Sequence, residues 1–145
     1  MPSDPELVAE TRGWLQKAHE DLELAQMALD RKPPFISPAA FQAQQSAEKL
    51  LKAFLTWKGE TFKKTHDLKE LGDPCAKLDL TLESIVVRVA PISAWAIETR
   101  YPSIVESQTS EQVASAIETV RELFRQILSR LPEETHPYPE HLIER

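Results

Sequence analysis

Apolar residues recur at steps of three and four along nearly the whole chain, and this periodicity constrains the fold more than any other feature. No Val-, Ile- or Thr-rich run alternates with period two, and only three glycines occur in 145 residues. The chain therefore reads as all-α. No Gly/Ser-rich stretch divides it, so one domain with one core is expected. The expected helical bundle covers residues 1–131, and a proline-rich C-terminal tail covers residues 132–145.

The helix limits follow from local chemistry. Asp4 is a candidate N-cap followed by Pro5 at the first helical position, which predicts a helix to about Asp30 with Trp14, Ala18, Leu22, Ala25 and Leu29 as its buried stripe. Gly13 is a small weakness near its start. Pro33 and Pro34 end that region, and Ser37-Pro38 repeats the cap-then-proline signal. A second helix should run from there to Lys58, with Ala40, Phe41, Gln44, Ala47, Leu51, Phe54 and Leu55 on one face and Gly59 as its C-terminal cap. Two long helices with a short connection form an antiparallel hairpin. A short amphipathic piece, Leu68 to Leu78, is expected to break or bend near Gly72-Asp73-Pro74. A third long segment spans Leu82 to Thr99, and Pro91 should kink or break it by removing a backbone donor. Thr109 and Gln112 form a capping box ahead of Val113, Ala116, Ile117, Val120, Phe124, Ile127 and Leu131, the stripe of the last helix.

The net charge of −6 argues against non-specific coating of nucleic acid, which draws its affinity from many cationic contacts to phosphates. Any nucleic-acid role must be local. Cys75 is the sole cysteine, so no intrachain disulfide and no multi-cysteine zinc site can form. No histidine pair stands at helical ligand spacing either, so neither a metal nor another cofactor is expected. The segment from Met1 to Glu10 carries acidic residues and no apolar run, unlike a signal peptide, and no stretch reaches the roughly 20 apolar residues of a membrane helix. A cytoplasmic protein with no membrane association is expected.

Candidate chemistry gathers on the second helix. Gln44, Glu48 and Lys52 repeat at intervals of four, with Gln45 and Lys49 beside them, so they share one strip of helix surface. A solvated face with an ordinary Glu-to-Lys pair accounts for this pattern, and so does a strip that binds a ligand or faces a partner subunit. Between Lys49 and Lys69 there are six lysines against two acids, a local excess of +4 that leaves −10 for the rest of the chain. Such a patch fits a phosphate, or the protein's own acidic surface in a dimer. His66, between Thr65 and Asp67, reads either as a loop-anchoring residue or as a proton donor, acceptor or phosphate contact. In Arg100-Tyr101-Pro102 the proline stops a helix, Tyr101 adds a polar-tipped aromatic ring, and Arg100 can cap carbonyls or grip a phosphate by its fork.

These residues in this order resemble a family. Trp14, Ala18 and Asp21-Leu22, then the run from Gln44 to Ala53, then Gly59, Thr65-His66-Asp67-Leu68 with Leu71, and Arg100-Tyr101-Pro102 are together similar to a bacterial or archaeal HEPN (higher eukaryotes and prokaryotes nucleotide-binding) domain of the type associated with minimal nucleotidyltransferases. The resemblance implies a four- to five-helix up-and-down bundle, usually a homodimer. It also implies a toxin–antitoxin type pair with a minimal nucleotidyltransferase as protein partner, and binding of a nucleotide or RNA. Many such domains are metal-independent RNases that use an Arg, four to six residues, then His. There Arg stabilises the charge on phosphorus while His moves a proton to or from the ribose 2′-hydroxyl.

Here the sequence departs from that pattern, because no histidine follows Arg100 within the window. Arg12 to His19 and Arg130 to His136 fit the spacing formally, a match that chance supplies on the order of once in a chain of this composition. Three readings stay open. The first is a non-hydrolytic module that binds a nucleotide, an RNA phosphate or a nucleotidyltransferase through Gln45, Glu48, Lys49, Lys52, His66, Arg100 and Tyr101. The second is an RNase toxin in which His66 is acid or base and Arg100 clamps the phosphate. The third is a structural dimer held by the polar strip.

Overall fold

A computed structural model describes residues 4–95 and 108–137, and among these every regular element is helical. Helix α1 (Pro5–Asp30) starts as its sequence requires, with the Asp4 carboxylate accepting the Glu6 N–H at 2.9 Å and Pro5 in the first turn. Leu15, Ala18, Leu22 and Ala25 are its buried stripe, while Trp14 and Leu29 pack at the margin of the core.

Helix α2 (Ile36–Trp57) begins before the Ser37-Pro38 signal. Phe35 stands at its cap with no side-chain cap bond, and its N–H is tied back to the carbonyl of Ala28 in α1 at 2.9 Å. Pro38 then falls in the first turn, where its missing N–H has no helical partner to lose. Contacts between α1 and α2 run in opposite order along the two chains: Phe35 meets Ala28, Ser46 donates to the Ala18 carbonyl, Lys49 meets Asp21, and Lys52 lies over Trp14. The hairpin is antiparallel.

Gly59 ends α2 with φ of +72°; its N–H donates to the Thr56 carbonyl at 3.1 Å, and the Glu60 N–H donates to the Leu55 carbonyl at 3.0 Å. This reversal satisfies two carbonyls that the helix end would otherwise orphan. A Cβ at Gly59 would meet nothing within 4 Å, so only backbone strain opposes a side chain there. Gly59→Ala should therefore cost about 1 kcal/mol in urea denaturation. An unchanged midpoint would show that the left-handed turn is not maintained in solution.

The chain then forms α3 (Leu68–Leu78), a 3-10 turn at Leu80–Leu82, α4 (Glu83–Val89), a second 3-10 turn at Ala90–Ala94, and α5 (Ser110–Ser129). The expected break at Gly72-Asp73-Pro74 does not occur, and α3 runs through it. Pro74 forfeits its hydrogen bond and crowds the preceding turn, but Leu68, Leu71 and Cys75 are buried and hold the helix down. Gly72 serves close packing, since a Cβ there would lie 2.5 Å from Val86 Cγ1 of α4. Pro91 does break its segment: the α-helix stops at Val89 and tightens into the 3-10 turn. In α5 the reciprocal Thr109–Gln112 box is present and the expected stripe is buried from Val113 to Ile127, while Leu131, also buried, lies just past the helix end.

Helices α2, α3, α4 and α5 close one core around Phe54, Leu51, Leu71, Ile85, Ile117 and Phe124, and α1 joins it through Leu15, Ala18, Leu22 and Ala25. Cys75 is buried in it, and desolvation pushes its thiol up to about 12. Labelling of Cys75 by a thiol reagent should therefore proceed only at the rate of protein opening. Rapid stoichiometric labelling of the native protein would contradict this burial. After α5, a 3-10 turn at Glu133–Thr135 packs on α1, with Thr135 buried and Arg12 donating to the Glu134 carbonyl.

Candidate functional site

The left-handed turn at Gly59 sends residues 60–67 back along α2, over the strip Gln44, Glu48, Lys52. Glu48 is consequently an interior group, its side chain only 5% exposed. Its Oε2 lies 3.0 Å from Lys52 Nζ, and its Oε1 lies 2.8 Å from His66 Nδ1 and 3.4 Å from Gln44 Nε2. A carboxylate enclosed to this degree is tolerable because its lone pairs are met by donors. Gln44 also donates to the His66 carbonyl at 2.9 Å, and Gln45 Nε2 donates to Gln44 Oε1 at 2.7 Å.

The two lysines of the strip are occupied. Lys52, besides its ion pair with Glu48, sits 5.4 Å from the Trp14 ring centre and 5.8 Å from that of Phe62. Lys49 is paired with Asp21 of α1, where burial pushes the Asp21 carboxyl up against the opposing pull of that ammonium. Of the other lysines in the basic stretch, Lys58 lies over the Phe54 ring and Lys69 pairs with Asp73. Lys63 and Lys64 are exposed, with no carboxylate partner among the described residues.

His66 differs from its neighbours. Its side chain is 57% exposed, and its ring lines a cleft of about 520 Å³ together with Lys64, Thr65, Asp67, Ser93 and Ala94. The rim's other polar groups hold backbone. Thr65 Oγ1 accepts the Asp67 N–H at 3.0 Å, Asp67 caps α3 by accepting the Lys69 N–H at 2.9 Å, and Ser93 Oγ accepts the Leu68 N–H at 2.6 Å while donating to the His66 carbonyl at 3.0 Å. The Nε2 of His66 has no partner among the described residues, so it and the Lys64 ammonium are the groups left to meet a ligand.

A family model for the HEPN domain matches residues 11–131. The chain belongs to the HEPN domain family. No curated protein and no solved structure matches it.

In this HEPN domain, Arg100 and Tyr101 lie outside the described residues. The two formal Arg-to-His spacings lie within them. Arg130 donates to Asp79 Oδ2 at 2.9 Å and to Thr81 Oγ1 at 2.7 Å, and His136 Nε2 donates to the carbonyls of Leu128 and Leu131 at 3.0 and 3.2 Å. Both side chains secure the end of α5. Arg12 is bound to the Glu134 carbonyl, whereas His19 is buried edge-on to the Phe124 ring. No group of three or more His, Cys, Asp or Glu side chains suited to a metal ion occurs among the described residues, and no described helix is long and apolar enough to cross a membrane.

Sequence reasoning did not single out Ser93 or Lys64 as rim residues, nor Trp14 and Phe62 as the aromatic walls around Lys52. Ser93 follows the Pro91 break without any motif of its own. Only the folded path of residues 60–67 brings Phe62 to Lys52.

Proposed function

We propose that this HEPN domain is a cytoplasmic, dimeric, non-hydrolytic interaction module. It holds a nucleotide or an RNA segment in the cleft beside His66 and works with a minimal nucleotidyltransferase as a toxin–antitoxin type pair. The observation that carries the ligand reading is the anchored, half-exposed His66 ring, with its free Nε2 and the unpaired Lys64 on one cleft. Lys64 supplies charge for a phosphate, His66 a directed hydrogen bond, and Glu48, Lys52 and Lys49 serve from behind. His66→Ala should weaken binding of a fluorescent adenosine monophosphate or a short single-stranded RNA about tenfold, the equivalent of one hydrogen bond. Unchanged affinity in that variant would remove His66 from the site.

One observation favours an RNase as the second reading. The carboxylate on Nδ1 with Nε2 facing outward is the arrangement that orients a catalytic base, with Arg100 as the partner cation of the expected composite site. RNA cleavage by the purified protein that His66→Ala abolishes would decide for the enzyme, and intact RNA in both samples would exclude it.

The partner readings rest on surface and family. Leu24 and Met27 of α1 and the neighbouring Phe35 are exposed apolar side chains that suit a two-fold contact with a second copy. Light scattering at micromolar concentration should give twice the 16.5 kDa chain mass, and the single-chain mass would refute the dimer. A nucleotidyltransferase encoded beside this chain should co-purify with it.

A further inference from the structure

Of the groups behind the cleft, Glu48 is the one whose chemistry dictates what His66 can do. Its carboxylate is an acceptor only, and it lies between the Lys52 ammonium at 3.0 Å and the Gln44 amide at 3.4 Å. At 2.8 Å from Glu48 Oε1, the Nδ1 of His66 must therefore carry the hydrogen of that contact. The second ring nitrogen of a neutral imidazole is then a bare lone pair, because the partner of one nitrogen sets the state of the other.

We propose that Glu48 is the positioning residue of this site: by taking Nδ1–H it commits the Nε2 of the neutral His66 ring to accept a hydrogen bond, so the group that the neutral ring receives in the cleft is a donor of the ligand, a ribose hydroxyl, and not a phosphate oxygen. This rests on the nucleotide reading above and divides the ligand between two rim groups, the sugar on His66 and the phosphate on Lys64. Glu48 touches no ligand itself, being enclosed by α2 and the returning loop. Lys52 and Gln44 keep its carboxylate from turning, and Gln44 also fixes the His66 carbonyl at 2.9 Å, so ring and backbone share one support.

The test is long-range proton–nitrogen NMR on the neutral imidazole of the full chain, with the His66 signals identified by their loss in His66→Asn. The expected result is the Nδ1–H tautomer in the unsubstituted protein, with loss of that preference in Glu48→Gln, whose amide can present an N–H to the ring. Adenosine 5′-monophosphate should move the Nε2 signal, and its 2′,3′-dideoxy analogue should bind at least about tenfold more weakly and leave that signal in place. An Nε2–H tautomer in the unsubstituted protein overturns the proposal even if the nucleotide binds, as does equal binding of the two nucleotides. Binding of neither nucleotide overturns the hydroxyl assignment together with the nucleotide reading. Because the first measurement uses the unsubstituted protein, poor folding of Glu48→Gln cannot mask the result.

Discussion

Glu48→Ala should destabilise the protein by about 3 kcal/mol, with a lowered urea midpoint and an unchanged slope. Removing one partner of a buried ion pair costs about 3–5 kcal/mol, since the other charge is left enclosed without compensation. Here the stranded groups are the Lys52 ammonium, only 13% exposed, and the Nδ1–H of His66. The lower end of that range applies for two reasons: Lys52 keeps the Trp14 and Phe62 rings, and half of His66 is in water. Glu48→Gln should cost less, as an amide oxygen still accepts one hydrogen bond. A loss below about 1 kcal/mol for alanine would mean that the strip is solvated and that Glu48 behaves as a surface residue.

Gly72→Val should cost about as much, near 3 kcal/mol, for a steric reason. The first atom added to Gly72 would stand 2.5 Å from Val86 Cγ1, and the Cβ and Cγ2 of Val86 lie at 3.5 Å. Val86 is β-branched and buried in α4, so it cannot rotate aside, and the two helices must separate instead. The loss should not be additive with that of Val86→Ala. In the double variant the shortened side chain makes room, and the combined cost should fall short of the two single costs by at least about 1 kcal/mol. Strict additivity would show that α3 and α4 do not pack at this point in solution.

Gly72 also shows where sequence reasoning reaches its end. A Gly-Asp-Pro run in a short amphipathic segment reads as a break, because local propensity is all that the sequence displays there. Burial of Leu68, Leu71 and Cys75 overrides it, and the glycine is required for helix contact. The last helix was fully legible by contrast: the Thr109–Gln112 box and the stripe to Leu131 are both local signals, and tertiary structure agrees with them. The start of α2 was misplaced because the tie from Phe35 to Ala28 belongs to the connection between helices and has no sequence signature.

The site was legible in its membership and not in its depth. Four-residue spacing puts Gln44, Glu48 and Lys52 on one strip, but periodicity cannot tell whether a loop folds back over that strip. Residues 60–67 do so, turning Glu48 from a surface carboxylate into an interior one and leaving His66 as the exposed member. The lysine excess was equally visible as a count. Of its pairings, Glu48–Lys52 follows from the four-residue spacing, whereas Lys49–Asp21 does not, since Asp21 comes from another helix.

The carbonyl of His66 is held from two sides, by Gln44 of α2 and by Ser93 of the turn after α4. The loop is thus fastened through its main chain, and the imidazole adds little to its shape. Position 66 works as a socket: a different side chain that still donates to Glu48 can be fitted there without rebuilding the mount. Chemistry at this point of the bundle can accordingly drift or be re-engineered one residue at a time, while the path of the chain stays as it is.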